Sequence, residues 1–251
     1  MRQLWILFKK DCLELFRTKK FLIITIVFVL FAASSPILAY ITPELLSSLS
    51  PNADLDIPVA TTIDSYVELV GSLSQIGMLT IAIALGGSIA SERKKGLYNN
   101  LLNNGVKTRN FVLSKTLAQI IIVTVVYLIS LIAFGIVNNI IFGEIIVDNY
   151  IVSLLALYIH LIFIVCLGNL FSCIAKSPAL GIILTIVALI MLPILNLFNF
   201  GKYFPNYLVN IAAQVFTDTT IMDVAYTNFA ISIGLSIIII MAAIKLCRVK
   251  I

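Results

Sequence analysis

The stretch Thr116-Leu117-Ala118-Gln119-Ile120-Ile121-Ile122-Val123-Thr124-Val125-Val126-Tyr127-Leu128-Ile129-Ser130-Leu131-Ile132-Ala133-Phe134-Gly135-Ile136-Val137-Asn138-Asn139-Ile140-Ile141-Phe142 carries no Asp, Glu, Lys or Arg. Crossing about 30 Å of hydrocarbon takes about 20 residues of α-helix. The stretch is long enough, and it shows none of the period-2 alternation of a membrane β-barrel. Backbone polar groups in lipid must be satisfied within their own segment, so it reads as a transmembrane helix. Working outward, windows of the same kind lie at residues 21–41, 71–90, 150–175, 179–198 and 225–244. The expectation is an all-α membrane protein with six transmembrane helices and a single domain over 1–251. Pro36 and Pro193 fall inside spans, where kinks are expected.

Composition agrees with this reading. Of 251 residues, 61% are hydrophobic and only 12% charged, against about 25% in a soluble domain. A soluble fold would lack polar surface, and the loops are too short for a separate catalytic domain. The first apolar run begins only at Phe21 and is longer than a secretory signal, so it reads as a retained span. Cys12, Cys166, Cys173 and Cys247 have neither the spacing of a zinc site nor that of a disulfide framework.

Charge sorts by loop. With the amino terminus in the cytoplasm, the inner segments hold Arg2, Lys9, Lys10, Arg17, Lys19, Lys20, Arg93, Lys94, Lys95, Lys107, Arg109, Lys115, Lys176, Lys245, Arg248 and Lys250, which is 16 of 17 basic residues. Lys202 alone is outside. Nine of twelve acids lie in the outer loops: Glu44, Asp54, Asp56, Asp64, Glu68, Glu144, Asp148, Asp218 and Asp223. This is the positive-inside pattern, and it places both termini in the cytoplasm of a bacterial cell. The net charge of +5 follows from topology, so nucleic-acid binding is not expected.

Residues 1–20 form a separate element. On a helical wheel Leu4, Trp5, Phe8, Cys12, Leu15 and Phe16 fall within about 120°, opposite Lys10, Glu14 and Arg17. A helix lying in the interface is expected, with bases near anionic headgroups. The outer segments 43–70 and 199–224 hold a short helix at Thr62–Leu69 and an aromatic cluster, Tyr203, Phe204 and Tyr207, beside Lys202, which suits interfacial anchoring or gating.

Catalytic motifs are missing. There is no metal-binding His-Glu-x-x-His pair, no Gly-x-Ser-x-Gly elbow and no phosphate-binding loop. The spans lack the charges of an ion relay, His160 being the lone titratable side chain of that kind at depth, and no paired interrupted helices are evident. Gly86, Gln119, Asn169 and Asn196 are candidates for close helix packing or for lining a path.

The loop over 91–115 is the most informative. Leu97 and Leu101 lie one turn apart beside Tyr98 and Leu102, giving a short amphipathic helix closed by Asn103-Asn104-Gly105. Here the chain resembles the permease subunit of type-2 ATP-binding-cassette exporters. Glu92, Gly96, Leu101, Leu102, Arg109, Phe111 and Lys115 match that family's pattern, whereas Leu97 replaces a usual threonine and Asn104-Gly105 a usual proline. The resemblance implies a homodimer or heterodimer of permeases bound to two copies of a separate ATPase, which holds the ATP and magnesium. It implies no cofactor or metal on this chain. Glu92, Gly96, Leu97, Tyr98, Leu101, Leu102, Arg109 and Lys115 would form the coupling contact, with Leu4, Trp5, Phe8 and Phe16 in the interfacial helix. An amphipathic or apolar substrate is expected, a peptide before a lipid or drug. An ion-coupled carrier or channel and a membrane-embedded enzyme or assembly factor are the alternatives.

Overall fold

A computed structural model of the chain describes residues 2–49, 59–144, 147–197, 199–217 and 221–249. Pro51, Asp54, Asp56, Pro58, Phe198, Asp218 and Lys250 lie outside the described residues. All regular structure among the described residues is helical. In chain order these are α1 (Arg2–Arg17), α2 (Lys20–Leu49), α3 (Thr62–Ser72), α4 (Met78–Leu85), α5 (Ser88–Lys94), α6 (Leu97–Asn103), α7 (Thr108–Phe142), α8 (Tyr150–Ile174), α9 (Pro178–Met191), α10 (Tyr207–Gln214) and α11 (Ile221–Val249).

Five segments are long and apolar enough to cross a membrane: Lys20–Ser48, Thr62–Lys94, Thr108–Phe142, Tyr150–Ile174 and Ile221–Arg248. The first four run in alternating directions, and the chain returns through α9 so that α11 runs parallel to α8, the C-terminal ends of both meeting Arg93. One end of the bundle collects loops rich in bases and the other loops rich in acids, called here the basic and the acidic end.

The second of these segments departs from the sequence expectation in two ways. It starts at Thr62, so the expected outer helix is its first three turns, opened by a capping box between Thr61 and Asp64. It is also interrupted, where an unbroken span over 71–90 is expected. A π-helical turn covers Leu73–Gly77, and α4 and α5 are separated at Gly86-Gly87. Glycines permit both. A Cβ on Gly77 would stand 3.2 Å from the ring of buried Phe28, and one on Gly87 would stand 2.7 Å from the Pro178 carbonyl oxygen. Hydropathy cannot register such breaks, because glycine counts as a span residue.

The window 179–198 differs as well. Ser177 caps α9 through the Leu180 N–H, but the α-helix lasts only 14 residues, about 21 Å. It continues as a 3-10 helix over Leu192–Leu197. Pro193 accounts for the change, since it has no N–H for the α-helical ladder.

At the acidic end the connection from α9 to α11 folds back into the bundle. His160 Nδ1 lies 3.2 Å from the Pro205 carbonyl oxygen, Ser153 Oγ donates to the Ala212 carbonyl at 2.6 Å, and Asn149 Nδ2 donates to that of Val215 at 3.3 Å. Moving seven residues along α8 from His160 to Ser153 moves seven along the partner from Pro205 to Ala212. The segment 205–215 therefore rises antiparallel to α8, starting about 15 Å below the outer end of that helix. Leu208, Ile211 and Ala212 are fully buried there. Lys202, expected in an exposed outer loop, has its carbonyl held by the buried Asn228 of α11.

Candidate functional site

The loop between α5 and α7 is shaped by two glycines with left-handed backbone, Gly96 at φ +73° and Gly105 at φ +80°. Gly96 reverses the chain into α6. Gly105 closes it, its N–H bonding the Leu102 carbonyl while the Val106 N–H bonds that of Leu101. This backbone is what Asn104-Gly105 supplies where the related pattern has proline.

The expected contact residues divide into two groups. Leu97 is 44% exposed, Leu101 and Leu102 are half-buried, and Arg109 is exposed. Glu92, Tyr98 and Lys115 are buried, which leaves outward contact to the first group. Tyr98 donates to the Cys247 carbonyl at 3.1 Å, packs against Phe111 and lies under the Arg93 guanidinium, 5.5 Å from the ring. Arg93 in turn donates to the Cys173 carbonyl at 2.9 Å and to Cys247 Sγ at 3.2 Å. The root of α6 is thus pinned to the ends of α8 and α11. Burial pushes the Tyr98 phenol up to about 12.

Beside this anchor is a charged junction. Lys115 Nζ lies 2.6 Å from Glu92 Oε1, 3.3 Å from Glu14 Oε2 and 3.6 Å from Asp11 Oδ1. Lys10 Nζ lies 2.8 Å from Glu92 Oε1 and 3.2 Å from Asp11 Oδ1. Ser114 Oγ donates to Asp11 Oδ2 at 2.9 Å. A buried ion pair returns little net stability, but removing one partner strands a charge in a poorly polarisable site. The junction is therefore sensitive to any separation of α1, α5 and α7. Asp11, Glu14 and Glu92 bring three carboxylate oxygens within 4.8 Å of one another; the Lys115 ammonium stands among them as the neutralising cation.

Lys10, Asp11 and Glu14 are absent from the sequence-derived site. A signal existed, however. In the sequence nine of the twelve acids fall in the expected outer loops, and the three left over are Asp11, Glu14 and Glu92, all of which meet at Lys115. The junction also turns α1. Its buried stripe runs Leu7, Asp11 and Leu15, about 80° from the centre of the expected apolar face. Leu4 and Phe8 are half-buried, while Trp5 and Phe16 are 65% and 53% exposed.

Residues 5–203 match the family model described as ABC-2 family transporter protein. The chain belongs to the ABC-2 transporter family. A relative is an uncharacterized transmembrane protein of Bacillus subtilis (strain 168), YxlG, 26% identical over 126 residues, which are 49% of this chain and 48% of that protein. The chain thus spans about half the length of the curated relative it matches. As an ABC-2 family member it is a multi-pass membrane protein.

The interior candidates of this ABC-2 chain fall into place by contact. Gly86 is part of a crossing with Gly168, Gly181 and Thr185: a Cβ on Gly181 would lie 2.9 Å from the Gly86 carbonyl oxygen. Gln119 and Asn169 meet, Asn169 Nδ2 donating to Gln119 Oε1 at 2.8 Å and to Thr116 Oγ1 at 3.1 Å. Gln119 donates to Ser88 Oγ at 2.8 Å. Asn196 lies apart from them, half-buried in the 3-10 helix after α9.

Proposed function

We propose that the chain is the membrane permease of an ATP-driven exporter and that α6 is its coupling helix, seated in a groove of the ATPase. The basic end faces the cytoplasm, with both termini on that side. Residues 178–197, α-helical and then 3-10, make a sixth crossing in this reading. A second permease and two ATPase copies make up the working assembly, and ATP with its magnesium is held by the ATPase alone.

One observation carries this reading. α6 has an exposed apolar tip at Leu97, while its root is fixed through Tyr98 and Arg93 to α8 and α11 and through Glu92 to α1 and α7. A partner pushing on such a helix moves several membrane helices at once. In this reading the site carries force, and hydrolysis belongs to the ATPase. The substrate is amphipathic, preferably a peptide. A cleft of about 340 Å³ between α2 and α3 at the acidic end supports this, with Leu46 and Val67 on its apolar wall and Asp64 and Glu68 on its polar one.

The test is Leu97→Asp in the permease co-expressed with an ATPase subunit that co-purifies with the wild type. Co-purification and permease-dependent ATP hydrolysis should both fall while the amount of permease in the membrane stays unchanged. Survival of both activities would remove α6 from the contact. For topology, an impermeant label should reach a cysteine at Lys202 from outside and one at Lys107 from inside; reversed labelling would overturn the orientation.

A further inference from the structure

The charged junction continues into the bundle as a ladder. Glu92 and Ser88 stand one turn apart on α5, and Lys115 and Gln119 one turn apart on α7, so each pair shares a helical stripe. The stripes face one another. Lys115 to Glu92 is one rung at 2.6 Å, and Gln119 to Ser88 is the next at 2.8 Å. α8 joins on the far side: Asn169 donates to both Gln119 and Thr116, and Ser172 Oγ accepts the Ala90 N–H at 2.9 Å. α1 joins at the first rung through Asp11, Glu14 and Lys10. Apart from Lys10 and Glu14, every one of these residues is buried.

We propose that Lys115, Gln119, Ser88 and Asn169 are positioning residues that make α1, α5, α7 and α8 one rigid body, displaced as a unit when α6 is pushed. This rests on the coupling role given to α6 above. It goes further by naming what moves together and by assigning Gln119 and Asn169 to transmission of movement. The physical basis is the kind of link in each rung. Hydrogen bonds between side chains in a low-dielectric bundle hold direction as well as distance, whereas apolar contacts permit sliding. Two rungs a turn apart on the same two helices therefore block both rotation and translation, which a single rung would not.

The experiment places spin labels in pairs at exposed positions of the reconstituted permease–ATPase complex. One pair is Leu13 of α1 with Leu155 of α8 and the other Ile121 of α7 with Leu155. Distances are recorded without nucleotide and after trapping with ATP and vanadate. In the wild type both should be the same in the two states. In Gln119→Leu and in Lys115→Met they should shift and broaden on trapping, with the ATPase still bound and permease-dependent hydrolysis reduced about tenfold. Lys115→Arg should behave as wild type. Distances that already change in the wild type, or that stay fixed in both variants, overturn the rigid body. A single hydrogen bond in a membrane bundle is weak enough for the fold to survive its loss, so if Lys115→Met fails to accumulate, Gln119→Leu decides. A wild-type permease that binds no ATPase would refute the coupling role itself, an outcome separate from either result on distances.

Discussion

The two ends of the bundle are held together by different chemistry. At the basic end charge is central: Lys115 with Glu92, Glu14 and Asp11, and Lys10 with Glu92, with Arg93 and Tyr98 adding bonds to the Cys173 and Cys247 carbonyls. At the acidic end neutral side chains make the links, Ser65 donating to Asn138 Oδ1 and the others bonding to backbone. Asn138 donates to the Glu144 carbonyl, Asn149 to that of Val215, Ser153 to that of Ala212, and Asn228 to those of Lys202 and Phe204. All five ion pairs among the described residues belong to the basic end, although the acidic end holds most of the carboxylates. The difference follows from what each end must satisfy. Irregular backbone folded back into a membrane bundle needs donors for its carbonyls, and neutral amides and hydroxyls supply them cheaply. Helices that must keep register under an applied force gain more from directional charged links.

This contrast can be broken by mutation. The largest effect should come from Lys115→Met, which strands Glu92 without its closest cation and should cost about 3–5 kcal/mol, read as a lower midpoint of thermal unfolding of the purified protein. Asn228→Leu should come next. It removes the donor to the Lys202 and Phe204 carbonyls and should cost about 1–3 kcal/mol, with the added signature of new protease sensitivity near Lys202. An equal loss in the two variants would erase the distinction between the ends.

Gly181→Ala tests whether packing alone could account for the basic end. Its Cβ would press on the Gly86 carbonyl and should cost about 1–3 kcal/mol, without touching the ion pairs. The smallest effect should be Tyr98→Phe, which loses one hydrogen bond worth about 1 kcal/mol. It also carries a pH signature. The Tyr98 phenol is held at about 12, above an ordinary tyrosine, so the neutral form is favoured in the folded chain. Its contribution is present below about pH 10 and lost as pH rises through about 12. The stability gap between wild type and Tyr98→Phe should therefore shrink and change sign over that window, since linkage over about two pH units outweighs one hydrogen bond; a gap independent of pH would show that the hydroxyl contributes nothing through its proton.

Much of the fold was legible because the helices are long and their composition one-sided. A run such as 116–142 has few alternatives once lipid is the solvent. The turn at Gly105 and the amphipathic spacing of Leu97 and Leu101 could also be read, since both are local. What escaped was non-local or conformational. Asp11 and Ser114 are over a hundred positions apart, and nothing in the neighbourhood of either announces the other. The π-helical turn at Leu73–Gly77 and the break at Gly86-Gly87 arise where Phe28 and Pro178 approach from elsewhere in the chain. The rotation of α1 was missed for a related reason. A hydrophobic wheel gives Asp11 to solvent, and only its distant lysine and serine partners bring it inside.

The seven-for-seven register between α8 and residues 205–215 has a consequence for biosynthesis. A chain emerging from the ribosome offers the partners of this segment in two instalments. His160, Ser153 and Asn149 of α8 are made before it, whereas Asn228 of α11 is made after it. The stretch 205–215 can thus dock as soon as it is synthesised, while the carbonyls of Lys202 and Phe204 wait for α11 to insert. Final closure of the acidic end is thereby coupled to insertion of α11.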